Sequence, residues 1–156
     1  MPLFNHSPNL HPDSLSILFD RDFRQKTVCR KNIFFRKTGE QRIKIFIVVN
    51  ANPFDPETLA VLAQSDPSYA LNHPVLKTHL IFTDSENSDD IFRKPGYIDC
   101  TEIIPIPRAQ ILSEFLTDTS ILVGALPEPL WREVYDTLIG SSLIEVEYQE
   151  RIYNGS

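Results

Sequence analysis

Proline is the residue that most limits how this chain can fold, because twelve prolines stand against five glycines in 156 residues. Proline fixes one backbone dihedral and lacks the amide hydrogen that helices and sheets use, so it interrupts both. We therefore expect short elements joined by many turns. The length corresponds to one domain, and an apolar content of 42% is enough to form a core without a disulfide or a metal.

The charge balance argues against one broad class of function. Fifteen basic and 21 acidic side chains give a formal net charge of −6. Proteins that coat nucleic-acid phosphates usually carry a basic surface, so this class is disfavoured, although a local basic cleft is compatible with the total. The longest apolar run, Ile43–Val49, is too short to cross a bilayer, and Met1–Leu10 lacks the pattern of a signal peptide. We expect a cytoplasmic protein without a membrane segment.

The cysteines and histidines do not form a metal-binding pattern. Cys29 and Cys100 are far apart, and neither has a second cysteine nearby, which predicts two reduced, partly buried thiols. The four histidines lack the spacing found in metalloenzymes. The acidic run Asp84–Asp90 lacks the glycine and terminal glutamate of a calcium loop, and we interpret it as a solvated loop. We expect neither a metal nor a cofactor.

The apolar patterns predict a chain that is mainly β. The run Ile43–Val49, which ends at Asn50–Pro53, is typical of a central strand buried on both faces. Further strands are predicted from about Thr27 and at Val75–Phe82, Tyr97–Ile106, Ile121–Gly124 and Ile144–Tyr148, and Leu59–Ala63 is either a strand or a helical turn. Short strands joined by tight turns favour an α+β fold, in which a strongly bent sheet or small barrel carries helices on one side.

The helices are predicted late in the chain, apart from one short segment near its start. Ala109–Phe115 continues helically from a proline, and Pro127–Ile139 has an apolar stripe at helical spacing. Gly140 is expected to end the second helix from the C′ position. Asp13–Phe19 is expected to form one or two helical turns capped by Asp13.

Two cations mark a candidate phosphate site. Arg42 and Lys44 flank Ile43 at the start of the most apolar strand, so their side chains point to the same face. Cations at the mouth of a barrel can hold a phosphate, but two solvated charges before a buried run would have the same pattern. The glycine-rich phosphate loops and the nucleophile elbow of hydrolases are both missing from the sequence.

Several short motifs follow one another in a recognisable order. Gly39-Glu40-Gln41 precedes Lys44 and an apolar strand that ends at Asn50. The later motifs are Thr58–Ser65, Leu76–Leu80, Tyr97–Ile103, Ile106–Gln110, Val123–Leu126 and Gly140–Ile144. This order, over about Thr27–Ile144, resembles that of the MazF/PemK family of toxins. The resemblance implies a small SH3-like barrel of the CcdB/PemK-like type with a C-terminal helix.

The resemblance also implies an activity and partners: a homodimeric toxin that cleaves single-stranded RNA without a metal and is inhibited by an antitoxin protein. The family's catalytic Arg corresponds to Lys44, followed by Ile45 where the family has Pro, and its catalytic Thr or Ser corresponds to Ser65. Arg42 is a candidate substitute for that arginine, since arginine offers a bidentate fork and lysine a point charge. Positions that can contact RNA correspond to Glu40, Gln41, Thr78, His79 and Glu102, the last replacing the commoner Gln.

Two other functions stay open at this point. A barrel of this family that has lost catalysis would act as a protein-binding module, which Lys44, Glu102 and the net charge favour. The gyrase-directed CcdB toxins share the fold, and fold alone does not decide the activity. We interpret residues 1–26 as an N-terminal extension without a counterpart in the family, residues 27–150 as the MazF/PemK-like domain and residues 151–156 as a tail.

Overall fold

A computed structural model describes residues 3–4, 10–35, 39–84, 92 and 95–155, with the side chains of residues 32–35 outside this description. Within these residues the strands are β1 (Thr27–Phe35), β2 (Glu40–Val48), β3 (Glu57–Gln64), β4 (Leu80–Thr83), β5 (Gly96–Pro107) and β6 (Leu122–Ala125). The helices are α1 (Pro12–Asp22), α2 (Ser68–Leu71), α3 (Arg108–Thr117), α4 (Glu128–Gly140) and α5 (Val146–Ile152), with 3₁₀ turns at Leu76–His79 and Thr119–Ile121. No helix in these ranges is both long and apolar enough to span a membrane.

The six strands form one antiparallel sheet in the order β4-β5-β3-β2-β1-β6, which curls into half a barrel. Irregular pairing between Val28 and Cys29 and between Ala60 and Leu62 interrupts the ladders of β1 and β3. Such bulges increase the local twist of a sheet, which favours a curled sheet over a flat one. The predicted α+β fold, a small barrel-like sheet with a C-terminal helix, is confirmed. The ambiguous segment Leu59–Ala63 belongs to a strand.

Helices lie on both faces of the sheet, and a separate hydrophobic core forms between the sheet and the helices on each face. On the face that we call the α4 face, alternate strand residues pack against α4 and α5: Val28, Ile47, Val61 and Ile98 against Trp131, Leu138 and Ile152. On the opposite face, which we call the α3 face, strand residues pack against α1 and α3: Cys29, Phe46, Val48 and Leu62 against Phe19, Phe23, Ile111 and Phe115. This arrangement explains the continuous apolar run of β2, whose end is buried on both faces as predicted.

The predicted terminal strand at Ile144–Tyr148 is wrong, because α5 begins at Val146. Tyr148 and Ile152 are four residues apart in α5, and in a helix this spacing directs them to one side, while Ile144 precedes the helix. All three contact the α4-face core, whereas Val146 is 67% exposed. The alternation of apolar and acidic residues at 144–148 therefore fits a strand pattern, although the segment from Val146 is helical.

The predicted strand at Val75–Phe82 is only half correct, since its first part is a 3₁₀ turn and β4 begins at Leu80. Side chains in this segment satisfy the backbone locally. The Nδ1 atom of His73 accepts from the amides of Val75 and Leu76, and the Thr78 hydroxyl donates to the Val75 carbonyl. These bonds compete with a strand ladder, so Lys77 and His79 do not share a strand face as expected.

The helix ends also differ from the prediction. His11, not Asp13, is the N-cap of α1, and its Nδ1 atom accepts from the Asp13 amide. Gly140 is the last residue of α4, and Ser141 follows it as the C-cap. α1 packs firmly on the α3 face, where the Phe19 ring lies 4.6 Å from that of Phe23.

Candidate functional site

Arg42 and Lys44 lie on β2 and share the α3 face of the sheet. Lys44 continues the row of Phe46 and Val48, which pack on that face, and strand alternation puts Arg42 in the same row. The β1–β2 register places Lys31 directly opposite Lys44. The hairpin therefore gathers three cations on one face of a chain whose net charge is −6.

The three cations differ in whether a carboxylate lies close enough to neutralise their charge. Arg42 is exposed and forms an ion pair with Glu40, with its Nε atom 2.7 Å from a carboxylate oxygen. Lys31 is buried, and its Nζ atom lies 3.3 Å from Glu114 Oε2 on α3. Lys44 is half-buried and makes no ion pair with any residue that the structure describes. Lys44 is therefore the cation of this set whose charge is most available to an anionic ligand.

Ser65 follows the last residue of β3 and is exposed. Within β3, Ala63 packs on the α4 face, so Gln64 is the residue that shares the α3 face with Lys44. Ser65 instead lines a broad cleft of about 1360 Å³ together with Gln64, Arg30 and Ile43. Ser65 therefore lies one residue beyond the position beside Lys44, which Gln64 occupies.

Arg30 is a candidate residue that sequence reasoning missed. It lies opposite Ile45 in the β1–β2 register and lines the same cleft as Ser65. The signal was non-local, since the pairing of β1 with β2 and of β2 with β3 is needed to bring residues 30 and 65 together.

A row of side chains crosses the sheet on the α3 face. Lys31 pairs with Lys44, and the β2–β3 register, continued one residue beyond Ile45 and Ala63, places Lys44 beside Gln64. Gln64 pairs with Tyr97, and Tyr97 pairs with Phe82 on β4. The rings of Phe82 and Tyr97 meet edge to face with centroids 5.5 Å apart. One transverse row therefore runs from two lysines to two aromatic rings.

A buried carboxylate organises the polar groups next to this row. Asp99 is 3% exposed, and its Oδ2 atom accepts hydrogen bonds from Tyr69 and, at 2.9 Å, from Gln64. Its Oδ1 atom accepts from the amide and the hydroxyl of Thr101 at 3.0 and 2.6 Å. Burial and the hydrogen bond to Asp99 raise the pKa of Tyr69 to about 12. The network was not predicted, although an aspartate between Ile98 and Cys100 in an apolar strand was a usable signal.

The other predicted RNA-contacting residues are spread over three places. Glu40 and Gln41 are exposed at the start of β2, and Glu102 is exposed on β5. Thr78 and His79 belong to the 3₁₀ turn, where His79 Nε2 lies 2.6 Å from the hydroxyl of Ser141 at the end of α4. This contact ties the turn to α4, so Thr78 and His79 are not gathered around the cations of β2.

The hydrogen bonds around His79 determine which of its two ring nitrogens carries the proton in the neutral ring. Thr78 uses its hydroxyl proton to reach the Val75 carbonyl, so its oxygen accepts from His79 Nδ1 at 3.0 Å. His79 Nε2 then accepts from Ser141, whose oxygen also accepts from the Leu143 amide. Every polar group in this series of hydrogen bonds has a partner, which indicates that His79 holds the turn against α4.

Cys29 and Cys100 are free and buried, as the sequence predicts, and burial raises the pKa of both thiols. Among the described residues, no group of three or more His, Cys, Asp or Glu side chains has an arrangement that could hold a metal ion. The acidic run at 84–90 lies outside the described residues except for Asp84.

Comparison with known proteins adds no relative: no family model matches the chain, and no curated protein matches it.

Proposed function

We propose that this protein is a MazF/PemK-like endoribonuclease that binds single-stranded RNA at the part of the α3 face that carries Arg42 and Lys44. It cleaves the RNA without a metal. The observation that supports this function most directly is Lys44, a half-buried cation that makes no ion pair with the described residues. It lies in one row with Lys31 and on one face with Arg42. The motif order described above, of which Lys44 is a part, also favours this function and adds a homodimer and an antitoxin partner to the proposal.

The chemistry needs a group that stabilises negative charge on the phosphate. The ribose 2′-hydroxyl attacks the adjacent phosphorus, the bond to the 5′-oxygen breaks, and the products are a 2′,3′-cyclic phosphate and a 5′-hydroxyl. Charge accumulates on the non-bridging oxygens during this step, and a fixed cation is worth more to the transition state than to the substrate. We assign this role to Lys44; Ser65, which lines the neighbouring cleft, can donate its hydroxyl to a phosphate oxygen only where the RNA also enters that cleft.

Arg42 and Glu40 form the second part of the proposed site. Their ion pair is exposed, and exposed pairs contribute only about 0–1 kcal/mol, so a phosphate can replace Glu40 at little cost. The freed guanidinium then offers two parallel hydrogen bonds to the phosphate. We assign the Glu40 carboxylate to accept the proton of the 2′-hydroxyl, while the 5′-oxygen leaves with a proton from water.

An RNA cleavage assay in the presence of EDTA tests this proposal. We expect the wild-type protein to cut a labelled single-stranded RNA and to leave a cyclic phosphate. Lys44→Ala should reduce the rate by about 10²-fold or more, the usual effect of removing one transition-state donor, and Lys44→Arg should retain activity. Lys77→Ala, which removes an exposed lysine from the 3₁₀ turn, is the matched control. Equal rates for wild type and Lys44→Ala would contradict the proposal.

One observation favours a second candidate, a protein-binding module without catalysis. Two of the three cations on the α3 face already face carboxylates, Arg42 facing Glu40 and Lys31 facing Glu114. A surface with matched charges suits a protein partner better than a phosphate backbone. Purified protein that captures a specific protein and shows no salt-sensitive RNA binding would favour this candidate.

A further inference from the structure

We infer that the rings of Phe82, Tyr97 and Tyr69 form a stacking platform for unpaired bases of the RNA whose phosphate binds at Lys44. The inference rests on the proposed function and adds to it the place where the bases lie. Tyr97 begins one of the motifs named above, but neither the motif order nor the cations of β2 assign a role to these three rings, which belong to β4, β5 and α2.

The sheet register puts phosphate-binding and base-binding groups side by side. Lys44, Gln64, Tyr97 and Phe82 occupy one transverse row on the α3 face. Three strand spacings of about 4.8 Å separate β2 from β4, so the row is about 14 Å long. A strand of RNA that crosses this row can therefore place a phosphate at Lys44 and neighbouring bases over the rings.

The rings are held in place and remain accessible. Phe82 is 47% exposed although it is fully apolar, and its edge-to-face contact with Tyr97 restrains both rings. Tyr69 is 53% exposed, yet its hydroxyl is bound to the buried Asp99. Exposed aromatic rings with fixed orientations are the surfaces on which single-stranded nucleic acids stack, because every base has an aromatic face.

Gln64 adds a polar group to this surface. Its amide nitrogen donates to Asp99, which orients the side chain, and its amide oxygen accepts no hydrogen bond from any described residue. Such an oxygen can accept from the exocyclic amino group of a base. Asp99 is therefore a positioning residue for both Tyr69 and Gln64.

The distribution of charge determines how the RNA is oriented along the row of side chains. Lys44 and Arg42 lie at the β2 end of the row, whereas Glu133 and Asp136 of α4 line a groove beside Phe82 at the β4 end. Carboxylates repel phosphates, so the β4 end suits bases and the β2 end suits the backbone. A duplex, whose bases are stacked inside it, cannot use the rings.

Binding of a 2′-O-methyl RNA oligonucleotide that carries 2-aminopurine tests the inference, because this probe lacks the attacking hydroxyl and its fluorescence falls on stacking. We expect Phe82→Ala to weaken binding about 5- to 150-fold, the known range for one stacked base, and to reduce the quenching, since Tyr97 and Tyr69 remain. Phe82→Trp should bind like wild type. Tyr153→Ala removes an exposed ring at the C-cap of α5 and should have no effect. Thermal melting establishes that each variant is folded.

The outcomes separate this inference from the proposed function. If Lys44→Ala weakens binding and Phe82→Ala binds like wild type, the platform is wrong and the phosphate site stands. If wild-type protein binds no single-stranded probe, the proposed function fails and the platform fails with it. Equal affinity for a duplex of the same sequence would also overturn the platform, because paired bases cannot reach the rings.

Discussion

At the scale of single residues, Asp99 shows how one buried carboxylate can organise a surface. Its two oxygens accept four hydrogen bonds from three residues, which compensates for its removal from water. The same bonds fix the side chains of Tyr69 and Gln64, both of which reach the surface. A change at Asp99 should therefore affect the titration of Tyr69.

We expect Asp99→Asn to lower the pKa of Tyr69 from about 12 towards its ordinary value of about 10. Burial raises this pKa and remains in the variant, but the variant loses the charge of a carboxylate that favours the protonated phenol. Because the folded-state pKa is above the unfolded one, the wild-type stability from this group is complete below about pH 10. It is lost as the pH rises through about 12.

Ultraviolet absorbance titration measures this pKa, and Tyr69→Phe identifies the contribution of Tyr69 among five tyrosines. A pKa that stays near 12 in Asp99→Asn would mean that burial alone causes the shift.

Single-residue reasoning from the sequence succeeded where the signal was local. Arg42 and Lys44 share a face because strand alternation is a property of neighbouring residues. Arg30 was missed because its significance depends on the pairing of β1 with β2 and of β2 with β3. Asp99 was missed although its signal was local, since it interrupts an apolar strand and could have been identified as a buried polar group that needs partners.

At the scale of elements, α5 is held to the end of α4 by one side chain. The amide nitrogen of Gln149 donates to the carbonyls of Leu138, Ile139 and Ser141 at 2.9, 3.2 and 2.7 Å. These carbonyls belong to the last turn of α4 and its cap, where helical amides run out and the Ser141 amide reaches the Leu138 carbonyl at a long 3.4 Å. Gln149 therefore supplies donors that the helix itself lacks. Sequence periodicity could not predict this role of Gln149, because the pattern at 144–148 fits a strand equally well.

We expect Gln149→Ala to lower the free energy of unfolding by about 1–3 kcal/mol, because it removes the donor from part-buried carbonyl groups. Gln149→Glu should be at least as destabilising, since a carboxylate has no proton to donate. Urea unfolding measures both values, and Glu150→Ala, an exposed neighbour, is the control. Wild-type stability in Gln149→Ala would show that the other contacts of α5, such as the packing of Ile152 and the ion pairs of Arg151 with Asp55 and Glu57, are enough to hold it.

At the scale of the whole molecule, the candidate site is a product of sheet order. Lys44, Gln64, Tyr97 and Phe82 come from four strands, and only the order β4-β5-β3-β2 makes them neighbours. The sequence predicted most strands from apolar runs, but it contained no signal for which strands pair. The α+β class and the central strand were therefore predictable, and the row on the α3 face was not.

The net charge of −6 leads to a prediction about salt. The proposed site has two cations at the phosphate, Lys44 and Arg42, and each phosphate contact on a single strand contributes a slope of about −0.7 to the dependence of log K on log salt. The total slope should be about −1.4, so raising the salt from about 50 to about 200 mM should weaken binding about 7-fold.

Lys44→Ala should reduce this slope to about −0.7, which corresponds to a loss of about 3-fold over the same range, and Lys77→Ala should leave it unchanged. Fluorescence anisotropy with the 2′-O-methyl probe at several salt concentrations measures the slopes. The acidic remainder of the molecule repels RNA most strongly at low salt, so it can only make the slope shallower. A slope steeper than about −3 would mean that more cations contact the backbone than the α3 face provides, and the strand would then have to cross the cleft that contains Arg30.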